Sequence, residues 1–409
     1  MPHDNPLSPD FRRLAWSNLA AQSGEQIALA AAPMVAVLAL GAGAGATGLL
    51  QAVLTLPFLL FAIPAGLLAD RLDRRRLMAQ AEALRAAALL ALLALLALGA
   101  LTWPLLALLG FVAVCGTVVF SVAAPSVVPS LVAPHALATA NARIELARTT
   151  AYAGGPALGG ALVGGIGAAA AFGCAALLSA LAALSLARIA EPARTPAPRR
   201  HPLHEIRDGA AFVFRHDLLR PVFATQFVFN VAFFLILAIF VPHAVHTLHL
   251  SAFAVGATLG MFGVGMVAGA LLAPRIMRRL AFGTVVAIGP AAGLAAAVLM
   301  ALTIWVPSAL LAGLAFFILG AGPILWVIST TTLRQVVTPA PLLGRVSAIN
   351  IMAYGARPLG AGLGALLGGL YGVETCLIAA VAGFLLQALI IAASPAVRLQ
   401  SQPAALAVP

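Results

Sequence analysis

The chain has 409 residues, of which 62% are hydrophobic and 9% are charged, and its mean hydropathy is +1.06. Soluble domains carry about 25% charged residues, and a soluble fold must keep its surface wet, so this composition excludes a soluble globular protein. The formal net charge is +11, and every basic residue is an arginine. Most of these arginines stand in short gaps between apolar runs rather than on a polar domain, so nucleic acid is not an expected partner.

Twelve apolar runs reach the length of about 20 residues that a helix needs to cross the hydrocarbon. The runs are continuous rather than alternating, which excludes a membrane β-barrel. The first run is also too long for the apolar part of a signal peptide, so we expect it to remain as a spanning helix. The sequence thus predicts an all-α membrane protein with twelve transmembrane helices. The predicted spans are residues 14–41, 47–69, 77–100, 103–127, 141–164, 166–188, 219–242, 252–274, 281–303, 307–331, 344–368 and 371–394.

The arginines in the gaps between these spans indicate the orientation of the chain. They occupy alternate gaps, whereas the gaps near residues 43, 101, 165, 247, 305 and 370 hold none. Basic loops remain on the cytoplasmic side of a membrane. Both termini are therefore predicted to be cytoplasmic, in a bacterial inner membrane.

One long polar gap, residues 189–218, begins with the proline-rich stretch EPARTPAPRRHP and continues with LHEIRDGAAFVFRHDLLR. The second stretch predicts an amphipathic helix on the inner membrane surface, and a plain solvated linker is the alternative. The residues on its apolar face are Leu203, Ile206, Ala210, Val213 and Phe214.

Two similar halves flank this gap. ADRLDRR at 69–75 matches APRIMRR at 273–279, and the same offset relates Gln22 and Gln26 to Gln226 and Asn230. Six helices followed by six more, related in parallel, is a known transporter plan. The predicted parts are a cytoplasmic N-terminus (1–13), a six-helix bundle (14–188), a cytoplasmic linker with the amphipathic helix (189–218), a second bundle (219–394) and a cytoplasmic tail (395–409).

The loop after the second span reads GLLADRLDRRRL. It resembles the signature of the major facilitator superfamily at this place, although that family usually has glycine where this chain has Asp73. The resemblance implies the major facilitator fold, with two pseudo-symmetric six-helix bundles, and a gate on the cytoplasmic side. A loop that only sets the topology is the alternative. The residues in the pattern are Gly66, Asp70, Arg71, Arg74 and Arg75.

Three further stretches resemble particular branches of this superfamily. GGPALGG in the fifth span resembles the antiporter motif of drug–proton exporters, and close helix packing alone is the alternative. EIRDGAAFVFRHDLLRPVF and LLGRVSAINIMAYGARPLGAGLGALLGG resemble the branch with enterobactin-type siderophore exporters and macrolide efflux proteins. The residues that match the antiporter motif are Gly155, Pro156, Gly159 and Gly160.

Glu25 lies near the middle of the first span, where an ionisable group is costly and therefore a candidate for function. Asn18, Gln22, Glu25 and Gln26 recur at helical spacing and share a face,. No arginine lies within one turn of Glu25, so we expect an acid that is neutral when buried and that takes up the coupling proton or binds a cationic substrate. A glutamate at a cavity rim that bonds a neighbouring helix is the alternative.

The second half contributes further candidates for the substrate cavity. Arg357 can anchor an anionic substrate, pair with Glu25, or serve a structural contact, and Trp326 can stack on a substrate or pack in the core. The remaining cavity candidates are Gln226, Asn230 and Tyr354.

Several charged or reactive residues have simpler interpretations. Glu82 with Arg85, and Glu145 with Arg148, stand three residues apart, and both are interpreted as structural pairs or as members of the cytoplasmic latch,. Glu145 and Arg148 are assigned to the cytoplasmic gate. His243, His246 and His249 are expected to be solvated, and a metal-binding or pH-sensing role is the alternative. The three cysteines lack metal-binding spacing, so no metal or disulfide is expected.

These features predict a secondary active transporter rather than an enzyme, since no catalytic or phosphate-binding motif is found. We expect export of a drug-like or siderophore-like small molecule in exchange for protons, by alternating access. The protein is expected to act as a monomer in the lipid bilayer, without a cofactor. The alternatives are an importer of a small anionic nutrient and a membrane receptor without transport.

Overall fold

The computed structural model describes residues 8–132, 137–189, 202–339 and 342–401, and most of them are helical. Each predicted span except the eleventh corresponds to one helix, whose ends differ by a few residues from the prediction. The helices within these ranges are α1 (Pro9–Leu38), α2 (Ala44–Arg71), α3 (Arg74–Ala97), α4 (Trp103–Leu131), α5 (Leu137–Gly165), α6 (Ala168–Ala187), α7 (Pro202–Arg215), α8 (Leu219–His246), α9 (Ala252–Arg279), α10 (Phe282–Leu302), α11 (Ala309–Val337), α12 (Leu343–Met352), α13 (Arg357–Leu370) and α14 (Gly372–Ala392).

Nine helices in the described ranges are long and apolar enough to cross a membrane, namely α2, α3, α4, α6, α8, α9, α10, α11 and α14. α1 and α5 are 30 and 29 residues long but carry polar stripes. Large apolar side chains remain exposed on the outer faces of the helices, such as Leu310 at 78% and Ile166 at 77%. Water would not tolerate so many exposed apolar side chains, whereas lipid does, so the chain is a multi-pass membrane protein.

The predicted eleventh span, 344–368, is not one helix. α12 ends at Met352, a 3₁₀ turn covers Ala353–Ala356, and α13 begins at Arg357. Pro358 has no N–H to donate to the carbonyl of Tyr354, so the ladder of helical hydrogen bonds is interrupted here. The prediction of a continuous helix over 344–368 was wrong for this reason.

Local chemistry explains where the helices begin and end. Ser8 caps α1, accepting a hydrogen bond from the N–H of Phe11 at 3.1 Å and donating its own to the carbonyl of Leu131 at 2.9 Å. Asp73 caps α3 by accepting from the N–H of Arg76 at 2.9 Å,. Gly99 follows the end of α3 with φ +66°, a left-handed conformation that glycine adopts without strain,.

The chain divides into two compact units. The first comprises Met1–Ala42, Val53–Pro198 and Leu250–Gly260, and the second comprises Gly43–Ala52, Arg199–His249 and Met261–Pro409. The division therefore falls inside α2 and α9, whereas the predicted bundles keep every helix whole.

In the first unit, α1 packs against α5 and α6, and α3 packs against α4 and α6. Phe11, Met78 and Phe120 meet in the centre of one apolar cluster with Leu186. This arrangement brings one face of α1 and one face of α3 toward the same interior, and those faces hold the polar residues of the site.

In the second unit, α10 packs against α11 and α14, and α8 packs against α13 and α14. A second apolar cluster joins Phe282, Trp326, Leu333 and Val222. The break between α12 and α13 lies against α8.

The amphipathic helix predicted after the linker is α7, and its apolar side contacts protein. Val213 is buried in the same cluster as Leu219 and Val346, and α7 packs on α12. Asp208 of α7 accepts a hydrogen bond from Arg345 of α12 at 3.0 Å. Phe214 remains half-exposed. The helix is thus anchored to the second unit, while the side chains of Leu203 and Ile206 lie outside the described residues.

The corner between α7 and α8 is closed by a histidine. Nδ1 of His216 accepts a hydrogen bond from the N–H of Leu218 at 3.1 Å, which requires an unprotonated ring nitrogen. Burial lowers the pKa of His216, and the adjacent Asp217 carboxylate opposes that shift,. The corner therefore favours a neutral imidazole.

The packing of α7 predicts that Val213→Asp lowers the melting temperature of the purified protein by about 5 °C or more, because a charge would be buried without a partner. The exposed Asp208–Arg345 pair is worth at most about 1 kcal/mol, so the apolar contact should dominate. Thermal unfolding in detergent measures the effect. Ala211→Asp, on the exposed side of α7, is the control and should leave the melting temperature unchanged. Equal melting temperatures for both variants would contradict the packing.

Candidate functional site

The polar stripe of α1 lies mostly inside the first unit. Asn18, Glu25 and Gln26 are buried, and Gln22 is half-buried. Asn18 donates from Nδ2 to the carbonyl of Ile144 on α5 at 3.3 Å. The shared face that the spacing predicts is therefore present, but part of it holds α1 against α5.

Glu25 has a cationic neighbour that its local sequence does not reveal. Its Oε2 atom lies 3.9 Å from an Nη1 atom of Arg85 on α3, and the two side chains are 10% and 3% exposed. The expectation of a buried acid without a nearby arginine was therefore wrong. The spacing along α1 shows only the neighbours of Glu25 on its own helix, whereas Arg85 lies on α3.

Arg85 is held by all four helices that surround it. Its Nε donates to Ser179 of α6 at 3.0 Å, and Nη1 donates to Thr117 of α4 at 3.0 Å. Its Nη2 donates to the carbonyl of Ala21 on α1 at 2.7 Å and to Oε2 of Glu82 on α3 at 2.5 Å. A guanidinium has five N–H donors, and these bonds use four of them. The cation is thus fixed in place, with one Nη1 donor left on the side of Glu25.

Glu82 is the second carboxylate of this group. It is fully buried, and its Oε1 atom has no hydrogen-bond partner among the described residues. The pairing of Glu82 with Arg85 that the spacing predicts is present, but it lies in the interior next to Glu25. We name Glu25, Arg85 and Glu82 the buried charge triad. Glu82, Arg85, Thr117 and Ser179 were missed as site residues, and the three-residue spacing of Glu82 and Arg85 was the signal available.

The predicted antiporter motif lies where α5 comes closest to α1. A Cβ on Gly155 would stand 2.4 Å from Cβ of Gln26, and one on Gly159 would stand 3.0 Å from the carbonyl of Ile27. Within the same unit, a Cβ on Gly160 would stand 2.4 Å from the carbonyl of Ala252. Pro156 is buried between them. The motif therefore permits contacts that larger residues would prevent, beside the polar stripe of α1.

The second unit brings together four of the predicted cavity residues at the break between α12 and α13. Asn230 donates to the carbonyl of Gln226 at 2.8 Å, and its Oδ1 accepts from Nε of Arg357 at 3.4 Å. The guanidinium of Arg357 stacks on the ring of Tyr354, 4.3 Å from its centroid, and on Phe234 at 5.2 Å. Arg357 is half-buried. This group is a partly exposed cation surrounded by amide and aromatic groups.

Trp326 does not join that group. It is buried in the apolar cluster of the second unit, with Val286 and Leu333, and a Cβ on Gly289 would stand 2.5 Å from its own Cβ. This placement matches the core-packing alternative.

His243 is buried, contrary to the expectation of a solvated histidine run. Its Nε2 lies 2.7 Å from Oγ1 of Thr303, and the Thr303 hydroxyl donates to the carbonyl of Met300. Nε2 must therefore be the donor to Thr303. His246 and His249 are exposed, and no metal-binding group of histidine, cysteine or carboxylates occurs within the described residues.

The predicted cytoplasmic gate is described only in part. Gly66, Asp70 and Arg71 fall in the last turns of α2, but their side chains lie outside the described residues. Arg75 donates to the carbonyl of Ile189 at 2.8 Å and lies 3.6 Å from Asp73, and Arg74 is buried. Glu145 and Arg148 form the predicted ion pair on α5. Arg75 thus satisfies a carbonyl just after α6 in the same unit.

Comparison with known proteins identifies the kind of molecule. The family model for transmembrane secretion effectors matches residues 5–406. A search of curated protein sequences finds no significant match.

Solved structures extend the comparison to the fold. The chain is similar to the nucleoside transporter NupG (15% identity, TM-score 0.73, covering 94% of this chain and 99% of that one). It is also similar to a bacterial homologue of the iron transporter ferroportin in an inward-facing state (17% identity, TM-score 0.72, covering 94% of this chain and 98% of that one). A third similar structure is a D-xylose–proton symporter (13% identity, TM-score 0.68, covering 96% of this chain and 99% of that one). At these identities the likeness concerns the fold alone.

The contact between Gly155 and Gln26 predicts that Gly155→Ala separates α1 from α5 and lowers the melting temperature by several degrees. Gly154 is the matched control, since a Cβ there meets nothing within 4 Å. Because alanine favours a helix over glycine by about 1 kcal/mol, Gly154→Ala should equal or exceed the wild type. Thermal unfolding of the two purified variants measures the difference, and a Gly155→Ala protein as stable as Gly154→Ala would disprove the close contact.

Proposed function

The chain belongs to the transmembrane secretion effector family, within the major facilitator superfamily of membrane transporters, and from this premise we propose that it exports a small molecule in exchange for protons. It is a transport protein rather than an enzyme. The proposed cycle is alternating access, in a bacterial inner membrane, by a monomer with both termini in the cytoplasm.

One observation supports proton coupling above all. Glu25 is a carboxyl in the middle of a membrane helix, 9% exposed and 3.9 Å from a buried guanidinium. An acid in this position is costly to ionise and is stabilised when it does so by the adjacent cation. A group balanced in this way can bind and release a proton within one transport cycle.

The direction and the substrate class are supported by the sequence. The description of the matching family names secretion, which favours export. GGPALGG resembles the motif of drug–proton antiporters, and two other stretches resemble siderophore and macrolide exporters. We therefore propose a drug-like or siderophore-like substrate. Its proposed contacts are Asn18, Gln22 and Gln26 in the first unit and Gln226, Asn230, Tyr354 and Arg357 in the second.

The remaining motifs have proposed roles in the conformational change. The loop with Gly66, Asp70, Arg71, Arg74 and Arg75, together with the Glu145–Arg148 pair, is proposed as the cytoplasmic gate. Gly155, Pro156, Gly159 and Gly160 are proposed to let α5 move closely against α1.

Import of a small anionic nutrient is the second candidate, and Arg357 favours it. Its guanidinium is half-buried beside Tyr354 at the first residue of α13, where the helix dipole also attracts anions. A D-xylose–proton symporter is among the similar structures, so the fold is compatible with import.

Transport by proteoliposomes under an imposed pH gradient separates these functions. The probes are ethidium, a macrolide, a catecholate siderophore and, for import, a small dicarboxylate. An antiporter accumulates its substrate when the lumen is acidic, and a symporter accumulates it when the lumen is alkaline. We expect accumulation of one of the first three probes in acidic liposomes, and its loss in Glu25→Gln.

Glu374→Gln is the matched control, because Glu374 is an exposed glutamate in the first turn of α14. It should transport like the wild type. Accumulation against a gradient by Glu25→Gln would remove the coupling role from Glu25. Uptake of the dicarboxylate in alkaline liposomes would favour import, and no gradient-dependent flux of any probe would favour a protein without active transport.

A further inference from the structure

Arg334, near the end of α11, is a half-buried cation whose donors have few acceptors. Its Nε atom is buried and has no hydrogen-bond partner among the described residues. One Nη2 donor reaches Oγ1 of Thr331 at 3.4 Å, a long contact on the same helix,. A guanidinium has five N–H donors, and donors that lose water without gaining an acceptor are costly. Arg334 therefore needs an acceptor that the described side chains do not supply.

The described carboxylates near Arg334 do not balance its charge. The elements around it contain three acids, which are Glu205 and Asp208 on α7 and Asp217 just before α8. Asp208 accepts a hydrogen bond from Arg345, and Asp217 is exposed. The side chain of Glu205 lies outside the described residues, so the experiment below includes it.

The other groups around Arg334 add positive charge or none. Tyr354 interacts with Arg334, but a phenol is neutral at physiological pH. α10 has no charged residue. The remaining charged residues of α7, α8, α12 and the segment after α14 are all arginines, namely Arg207, Arg215, Arg220, Arg345 and Arg398.

Arg334 lines a small pocket inside the second unit, together with Asn350 of α12. The pocket offers about 10 Å³ to the centre of a water-sized molecule, which is room for about one water molecule. Carboxylate and phosphate groups have several non-hydrogen atoms and need more space, whereas a chloride ion is similar in size to water. The other lining residues are apolar side chains of α7, α8 and α12, namely Val213, Leu219, Val222, Phe223 and Val346.

We propose that this pocket binds one halide-sized anion, chloride in the cell, between Arg334 and Asn350. The guanidinium supplies the charge and N–H donors, and the side-chain amide of Asn350 supplies a further donor. The apolar walls lower the local dielectric and so strengthen the attraction between the ion and the guanidinium. A water molecule in the same place would accept hydrogen bonds but would leave the charge of Arg334 uncompensated. Arg334, Asn350 and Phe223 are half-buried, so a small ion can enter.

The bound anion connects four helices, because α7, α8, α11 and α12 all line the pocket. α7 is otherwise held by apolar contacts and by the exposed Asp208–Arg345 pair. The anion therefore helps to fix α7 on the second unit, and the stability of the protein reports its binding. This inference does not depend on the proposed export, since it concerns binding alone.

A chloride titration of the purified protein in a neutral detergent tests the site. Sodium gluconate replaces sodium chloride at constant ionic strength, because gluconate is too large for the pocket. The line width of the chloride NMR signal reports binding, and thermal unfolding reports the effect on stability. We expect line broadening that bromide reverses by competition. The melting temperature should rise by about 2 °C or more as the site fills.

Arg334→Gln should abolish both responses, because it removes the charge that holds the anion. Arg278→Gln is the matched control, since Arg278 is an exposed arginine in the last turn of α9 and its loss changes the net charge equally. It should respond like the wild type. If Arg334→Gln fails to fold, Asn350→Leu tests the site with a side chain of similar size. Loss of one hydrogen bond to the ion should raise the dissociation constant of chloride by about tenfold.

Several results would overturn the proposal. A wild type with neither line broadening nor a shift in melting temperature would show that the pocket holds water only. Equal responses of Arg334→Gln and Arg278→Gln would place the bound chloride elsewhere, and unchanged affinity in Asn350→Leu would remove Asn350 from the site. A chloride response that appears only in Glu205→Gln would show that Glu205 is the counter-charge of Arg334.

Discussion

A guanidinium without water must find its hydrogen bonds in the protein, and Arg85 finds them on four helices. α1 gives a backbone carbonyl, α3 a carboxylate, and α4 and α6 a hydroxyl each. Loss of one of these groups would leave a buried charge incompletely compensated, which is among the most costly defects in a protein. The relative positions of these helices, and with them the place of Glu25, depend on this one cation.

Small residues make that arrangement possible. A Cβ on Gly116 would stand 2.5 Å from the carbonyl of Ala81, and one on Gly24 would stand 3.0 Å from the carbonyl of Ala175. In lipid the hydrophobic effect does not drive helices together, so close packing and interhelical hydrogen bonds must do so. Glycine lets the backbones approach until Ser179 reaches Arg85. The packing and the charge cluster therefore stabilise each other.

The sequence of the second unit is partly similar to that of the first, but the arginines of the two units have different surroundings. Arg357 of the second unit has amide and aromatic neighbours in its own unit, namely Asn230, Tyr354 and Phe234. It follows a helix break that Pro358 produces, and it is more exposed than Arg85. One unit thus buries its arginine as part of a charge cluster, and the other leaves its arginine partly open. The proposed function assigns proton coupling to the first unit and substrate contact to the second, and this difference in burial is what it rests on.

The sequence by itself determined the class of protein and the order of its helices, because apolar length and arginine placement are local properties. It also predicted Gln226, Asn230, Tyr354 and Arg357 as candidates for the substrate cavity, but only the structure shows that these four lie together at the break between α12 and α13. It did not reveal the partner of Glu25, the burial of His243, or the packing of α7 against α12. Each of these depends on residues far apart in the chain, and helical periodicity says which face a residue occupies but not which helix that face meets. Only the tertiary structure decided that Arg85 stands beside Glu25, because four helices must pack together before that polar pocket exists.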